Sequence, residues 1–404
     1  MSAHQPIIDR SLTPDADPRW THEPSCEACP GCEQDISVPR AELEAFVVGI
    51  LGEHGVGTAE AEVVARVLVS SDLRGIPSHG VARLGRYLAG IDQGYIVPGV
   101  EPEVVEPVPA IAVVDAKNGL GQVVSEMAMD LALDKAVVNG VGMVTVKNSN
   151  HYGIAGYYAL KALDRRMIGV SMTNAAPLVV PTFGRQVMFG TNPISFAAPA
   201  QAHPGFLLDT ATSVVPRGKL EVHDRNRTQM PAGWAIDQDG YDALNPGMVL
   251  RNLVDRLGGG IMPLGGRGEL YSGHKGYGLA LMVDVLCGVL SGAAYGPFVY
   301  DMERTRAETG QAAPNVGHFF MAIDIERFML LEVFEARMAE YIRVLRDSER
   351  ALDQDRIWVH GEKEFVKAAC HERHGVALAS NVFDHLRDIA ESCGHPFLST
   401  PNRA

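Results

Sequence analysis

The stretch NGLGQVV, residues 118–124, decides how the first half of this chain is read. It follows the apolar run AIAVVDA (110–116) and leads into VVSEMAMDLALDKAVVNG (123–140) and then VGMVTVKN (141–148). Strand, G-x-G turn, helix and second strand outline a dinucleotide-binding βαβ unit. The full fingerprint asks for a third glycine, and Val124 stands there. The second strand ends in Lys147, Asn148 and Ser149, with no acidic residue for a ribose hydroxyl. A plain βαβ connection, in which Gly119 and Gly121 only serve the turn, accounts for the same residues.

The chain of 404 residues is 46% hydrophobic and 21% charged, enough for one large domain or two to three smaller ones. Its net charge of −14 argues against nucleic acid and anionic membranes as partners. No leader peptide or long apolar span is legible, so the cytoplasm is the expected location. Of six cysteines, Cys26, Cys29 and Cys32 cluster as CEACPGC, while Cys287, Cys370 and Cys393 are isolated. The cluster has metal-ligand spacing, with His22 as a fourth candidate, but no second pair completes it. Exposed thiols in a tail are the simpler reading, and no disulfide framework is expected.

Residues 1–38 are polar, Pro-rich and aperiodic, and read as an extension. Helical patterns fill much of 39–112 and 325–404, and 113–324 reads as β-rich. Helices are expected after Pro39, after a Thr58 cap, and directly after Ser78-His79. HKGYGLALMVDVLCGVLSGAAYG (274–296) reads as one long buried helix, and residues 301–314 as a polar loop.

Five motifs carry chemistry. DLRGIPSHGVARLGRY (72–87) packs Ser78, His79, Arg83 and Arg86 together. On a helix His79 and Arg83 share one face. An imidazole beside a guanidinium that grips a carboxylate suits acid/base work on the neighbouring carbon of a 2-hydroxy or 2-keto acid. A solvated, capped helix start would look the same. KNSNHYGIAGYY (147–158) holds His151 in a strand-to-helix loop. FGTNPISFAAP (189–199) is a tight turn around Thr191. LLDTATSVVPRGK (207–219) sets hydroxyls beside Arg217 and Lys219, as an anion site or a hairpin would. In GHKGYGLALM (273–282), Lys275 at a helix start opposes the dipole unless an anion is bound.

Taken as an ordered set, DLRGIPSHGVARL, SNHYGIAGYY, GTNPISFAAP, DTATS, PRGK, MPLGG, GHKGYGLALMVDVLCGVLSGA and NVGHFFMAID make residues 40–380 resemble the malate/L-lactate dehydrogenase family. That resemblance implies an α/β (α+β), non-Rossmann fold: a mostly antiparallel β core binding NAD or NADP, with a helical domain built from both chain ends. It also implies a homodimer acting on a small 2-hydroxy or 2-keto acid of malate, lactate or sulfolactate type. Within it, His79, His151 and Ser78 look catalytic, and Arg83, Thr191, Arg217 and Gly218 look like substrate contacts. Tyr152, Gly153, Ile154, Ala155, Asn174, Asp209, Thr210, Ala211, Thr212, Ser213, His274, Lys275, Gly361 and Glu362 look like cofactor contacts, and no metal is implied. Lys219 stands where the family's imine reductases carry an Asp, which favours hydroxy-acid chemistry over a ketimine reductase. A metal- or redox-responsive protein using the clustered cysteines is the remaining alternative.

Overall fold

The structure is a computed structural model and describes residues 36–398. The clustered cysteines and His22 lie outside the described residues. The chain enters through β1 (Ile36–Val38), which pairs with β11 (Val376–Leu378), so the last three residues of the expected extension are a strand. The helices α1 (Arg40–Glu53), α2 (Thr58–Leu73) and α3 (Leu84–Asp92) follow, and α12 (Ser380–Cys393) joins them from the other end of the chain. One apolar core, with Leu43, Ile50, Leu68, Leu84, Val376 and Leu386 all buried, unites the two chain ends. The N-cap of α2 is Gly57, which makes no side-chain capping bond; Thr58 is the first helical residue rather than the expected cap.

The central sheet contains β2 (Glu103–Val108), β3 (Ile111–Asp115), β4 (Val141–Ser149), β5 (Ile168–Thr173), β6 (Ile194–Ala200), β7 (His203–Thr210) and β10 (Val316–Ile323). Its order is β2-β3-β4-β10-β5-β6-β7. Only β3 and β4 run parallel; every other neighbouring pair is antiparallel. The sheet is therefore not a doubly wound Rossmann sheet, and the expectation of a mostly antiparallel core holds. The parallel pair is joined by α4 (Gly121–Asn139), so 118–124 is the plain βαβ connection. With α5 (Ala155–Asp164), α4 covers one face of the sheet over Val144, Val146 and Phe320.

A smaller unit holds α6 (Arg217–Arg225), α7 (Pro246–Asp255) and a ribbon of β8 (Ala235–Ile236) with β9 (Gly260–Ile261), around Phe189, Val215 and Leu220. The expected long helix is α8 (Gly273–Asp284), which passes into a π turn over Val285–Val289. That segment is buried on one face only: Ala280, Val283 and Cys287 lie in the core, while Leu281, Val285, Val289 and Leu290 face outward. An apolar run alone cannot distinguish a core helix from one whose partner lies outside the chain. The expected polar loop holds α9 (Met302–Thr309). Its cap is Asp301, which accepts the Arg304 N–H at 3.1 Å, and an Arg304–Glu308 pair at 2.7 Å supports it. An exposed helix needs no apolar stripe, so periodicity did not reveal it. Helix α10 (Leu331–Asp347) and α11 (Glu362–His374) complete the fold. Cys287 and Cys393 are free, whereas Cys370 is disulfide-bonded, against the expectation of isolated thiols. Sequence distance alone does not report which sulfurs meet.

The turn at 118–121 presses on the loop that carries His151. The Asn150 side chain donates to the Asn118 and Gly119 carbonyls, each at 3.0 Å. A Cβ on Gly121 would fall 2.3 Å from the Asn150 carbonyl oxygen and 2.6 Å from that of His151. Those neighbours are backbone and cannot swing away. Gly121→Ala is expected to lower stability by about 1–3 kcal/mol, the range for an overpacked interior. Denaturant unfolding would read this, and a midpoint equal to the parent's would show that the approach is looser than described.

Candidate active site

The SHG segment sits on a turn built by the end of α2. Ser71 Oγ donates to the Ile76 carbonyl at 2.7 Å, and the Asp72 carboxylate accepts the Val81 N–H at 2.7 Å. Burial pushes Asp72 up to about 7, while the Val81 N–H opposes that rise. The same carboxylate packs on Gly80, where a Cβ would lie 2.0 Å from Oδ1. Gly80 is held extended at φ −84°, ψ −155°, and this interrupts the helix. Ser78 and His79 therefore lie in a 3₁₀ turn over Pro77–His79, Arg83 ends a second one, and α3 starts only at Leu84. The expected α-helix start directly after His79 does not form. The expectation that His79 and Arg83 share a helical face fails with it, because the extended Gly80, ψ −155°, stands between them.

Four predicted residues do converge. The rings of His79 and His151 stack with centroids 5.6 Å apart and an interplanar angle of 17°. Ser78 Oγ lies 2.8 Å from His79 Nδ1. On the other ring, His151 Nδ1 accepts the Gly153 N–H at 3.3 Å and lies 2.7 Å from the Tyr87 hydroxyl. A backbone N–H can only donate, so Nδ1 of neutral His151 is an acceptor and its proton sits on Nε2. Neither Nε2 has a hydrogen-bond partner among the described residues. Arg83 Nε donates to the Ser78 carbonyl at 2.6 Å, which aims the guanidinium across the turn. Among the described residues neither Arg83 nor Arg86 has an ion-pair partner; Arg86 instead donates to the Tyr300 hydroxyl. His79 is pushed down to about 4, first by burial and then by the charges of Arg83 and Arg86. Burial and the Arg86 charge hold His151 well below its usual value as well. Two neutral imidazoles beside two cations lacking a carboxylate form a site for a small organic anion.

The segments that lead to His79 and from His151 also line a cavity of about 220 Å³, with Arg74, Ile76, Ile154 and Gly156 meeting Asp209, Trp358 and Gly361 from β7 and the start of α11. Arg74 Nη1 is held by Ser70 Oγ at 2.8 Å, but its buried Nε has no partner. Asp209 accepts the Gly156 N–H at 2.7 Å at the start of α5, and burial pushes it up to about 6. Cations, a helix start and an indole suit the phosphates and rings of a dinucleotide.

The remaining candidates are spread more widely. A Cβ on Gly218 would lie 3.9 Å from Ser78 Cβ, so the first turn of α6 meets the SHG turn; Arg217 there bonds Glu221 at 2.9 Å. Gly153 takes a positive φ of 86° against Val67, and Ala155 is buried in the first turn of α5. Tyr152 is buried, stacked 4.7 Å from His318. Thr210 bonds the Ala211 carbonyl, Thr212 those of Thr191 and Asn192, and Ser213 that of Val215, so their hydroxyls shape the path from β7 to α6. Asn174 ties the Ala294 carbonyl and the Gly317 N–H together. His274 and Lys275 stand exposed on α8. The Glu362 carboxylate is buried against Arg346, Arg356 and the Val359 N–H, so it fixes the start of α11. Sequence reasoning missed Arg74, Tyr87 and Gln122. The signal available for Tyr87 was its spacing of four from Arg83.

The sequence profile described as malate/L-lactate dehydrogenase matches residues 38–387. The malate dehydrogenase of Pyrococcus abyssi is 47% identical over 90% of this chain and 96% of its own length. The L-sulfolactate dehydrogenase of Methanocaldococcus jannaschii is 35% identical, over 86% of this chain and 95% of its own. Among solved structures, the malate dehydrogenase of Pyrococcus horikoshii superposes with a TM-score of 0.81 at 43% identity, covering 91% of this chain and 98% of that one.

Proposed function

Because this chain belongs to the malate/L-lactate dehydrogenase family, we propose that it interconverts a small 2-hydroxy acid of malate, lactate or sulfolactate type with its 2-keto acid. One observation carries the reading: the stacked His79–His151 pair whose Nε2 atoms have no partner among the described residues, beside an Arg83 that has no carboxylate among them. A nicotinamide cofactor, NAD or NADP, supplies or takes the hydride at C2. Arg74, Ile154, Asp209 and Gly361 line the cavity that suits it. Arg83 grips the substrate carboxylate and so fixes which carbon faces the cofactor. The carboxylate also offsets the charge of Arg83 and Arg86, which raises the affinity of His151 for a proton only when substrate is present. On reduction the protonated His151 gives its Nε2 hydrogen to the C2 oxygen and keeps the one on Nδ1; on oxidation that Nδ1–H form takes the hydroxyl proton back at Nε2, while His79, steadied by Ser78, packs against it. Gly218 and Arg217 border the same pocket from α6.

A panel of 2-keto acids and a cyclic imino acid, followed by nicotinamide absorbance with both cofactors, tests the reading. Turnover of the imine alone would overturn it. No helix among the described residues is long and apolar enough to cross a membrane, and the cytoplasm, where nicotinamide pools are held, is the proposed location.

We also propose a homodimer. Val285 is 46% exposed, Val289 57% and Leu290 60%, on one apolar segment at the end of α8. A patch of this kind on a folded chain marks a protein interface. Sedimentation should show a dimer that becomes a monomer in the double variant V285E/V289E; a parent that sediments as a monomer contradicts it.

A further inference from the structure

The residues around His151 raise a question that the family reading leaves open. A histidine that moves a proton must exist both neutral and charged. Yet from α3 and its cap it faces Arg83, Arg86 and Tyr87, from the SHG turn His79, and from β10 His318. None of these is an acid, and the Gly153 N–H at its Nδ1 can only donate. A protonated imidazole carries a hydrogen on Nδ1, which needs an acceptor. Among the described residues Tyr87 holds the one hydroxyl bonded there, at 2.7 Å, and a hydroxyl rotates between donating and accepting. Tyr87 is itself buried at 1% exposure, so its ring cannot wander. Behind it lies Gln122, in the first turn of α4. Its amide oxygen and nitrogen are buried without a partner within hydrogen-bond distance, and it favours negative charge on the Tyr87 oxygen. Gln122 belongs to NGLGQVV, the stretch whose glycines serve only the turn.

We propose that Tyr87, backed by Gln122, is a positioning residue for His151: its hydroxyl donates to Nδ1 of the resting ring, and turns to accept the Nδ1 hydrogen of both the protonated ring and the neutral ring left once Nε2 has given its proton to substrate, so that Nε2 is free to take that proton back. The inference rests on the reading of His151 as the group that exchanges the substrate proton. In Tyr87→Phe the charged ring loses its only acceptor at Nδ1, whereas the neutral ring keeps the Gly153 donor. The charged form is therefore disfavoured more, and its proton leaves at lower pH.

The test uses the full chain with an accepted keto acid and cofactor. In Tyr87→Phe, kcat is expected to fall about 10- to 100-fold, as for the loss of a partner that orients a reacting histidine, with KM within about twofold. The limb of the pH–rate profile that reports His151 should move to lower pH. A parent-like kcat and limb, or a rise in KM at unchanged kcat, overturns the proposal. His151→Ala separates the two layers. If it stays active, the reading of His151 has failed; if it is inactive while Tyr87→Phe behaves as the parent, only the positioning role has failed. Should Tyr87→Phe lose cofactor binding, Gln122→Met carries the test: a smaller fall in kcat at unchanged KM supports the proposal, and parent-like kcat overturns it.

Discussion

His151→Ala is expected to lower kcat by about 10³-fold in both directions, within the range for removal of a general acid–base, while the nicotinamide cofactor still binds. The argument runs from the ring's surroundings. Burial and Arg86 keep His151 neutral in the free protein, and the Gly153 N–H at 3.3 Å places its proton on Nε2. That nitrogen has no partner among the described residues, so it is the atom that gives a hydrogen to substrate once Nδ1 is protonated too; in the reverse direction the ring's hydrogen stands on Nδ1, toward the Tyr87 hydroxyl at 2.7 Å, and Nε2 accepts. His79 is the competitor. Its Nδ1 meets a Ser78 hydroxyl whose hydrogen can turn either way, at 2.8 Å, so the tautomer is not pinned. His79→Ala should therefore cost less, removing the stacked neighbour at 5.6 Å rather than the proton. Parallel kcat measurements on the two variants, with cofactor binding read by fluorescence, decide between them. Loss of turnover in His79→Ala with activity kept in His151→Ala would reverse the assignment.

The reach of the sequence can be judged residue by residue. Val124 in place of a third glycine, and a second strand ending in Lys147, correctly argued against a Rossmann unit. Composition could not show that β10 inserts between β4 and β5, because those pairings join residues far apart in the chain, such as Val316 with Ser149 and His318 with Thr173. The resemblance carried by the ordered motifs supplied the antiparallel core. At the site, His79, His151 and Arg83 were legible as residue types, but not their geometry. The helical face proposed for His79 and Arg83 failed because Gly80 is extended between them, beside the bond from the Val81 N–H to Asp72 at the far end of α2. That interaction spans nine residues and has no periodic signature. Tyr87 and Gln122 were invisible for a related reason. A buried tyrosine and a helix-start glutamine are ordinary core residues until the fold sets one against His151 and the other behind it.

Arg83→Ala is the second large effect, expected to lower kcat/KM by about 30- to 900-fold, or about 2–4 kcal/mol, as for a broken charge-assisted pair. Arg83 Nε is committed to the Ser78 carbonyl at 2.6 Å, so the side chain is oriented before substrate arrives. Its Nη atoms have no acidic partner among the described residues, so they need not give one up. A preoriented fork can hold both oxygens of a carboxylate, which a lysine cannot do. Arg83→Lys should therefore recover only part of the lost rate. The loss also has a chemical signature. If Arg83 binds the carboxylate, a substrate analogue with an amide in its place should be poor in the parent and hardly worse in Arg83→Ala. The variant would also lack a charge that helps hold His151 down, so the limb of the pH profile that reports His151 should move upward. A fall in kcat/KM below tenfold, or an equal loss for the amide analogue, would place the carboxylate elsewhere. Arg86, held by the Tyr300 hydroxyl, is then the cation to test next.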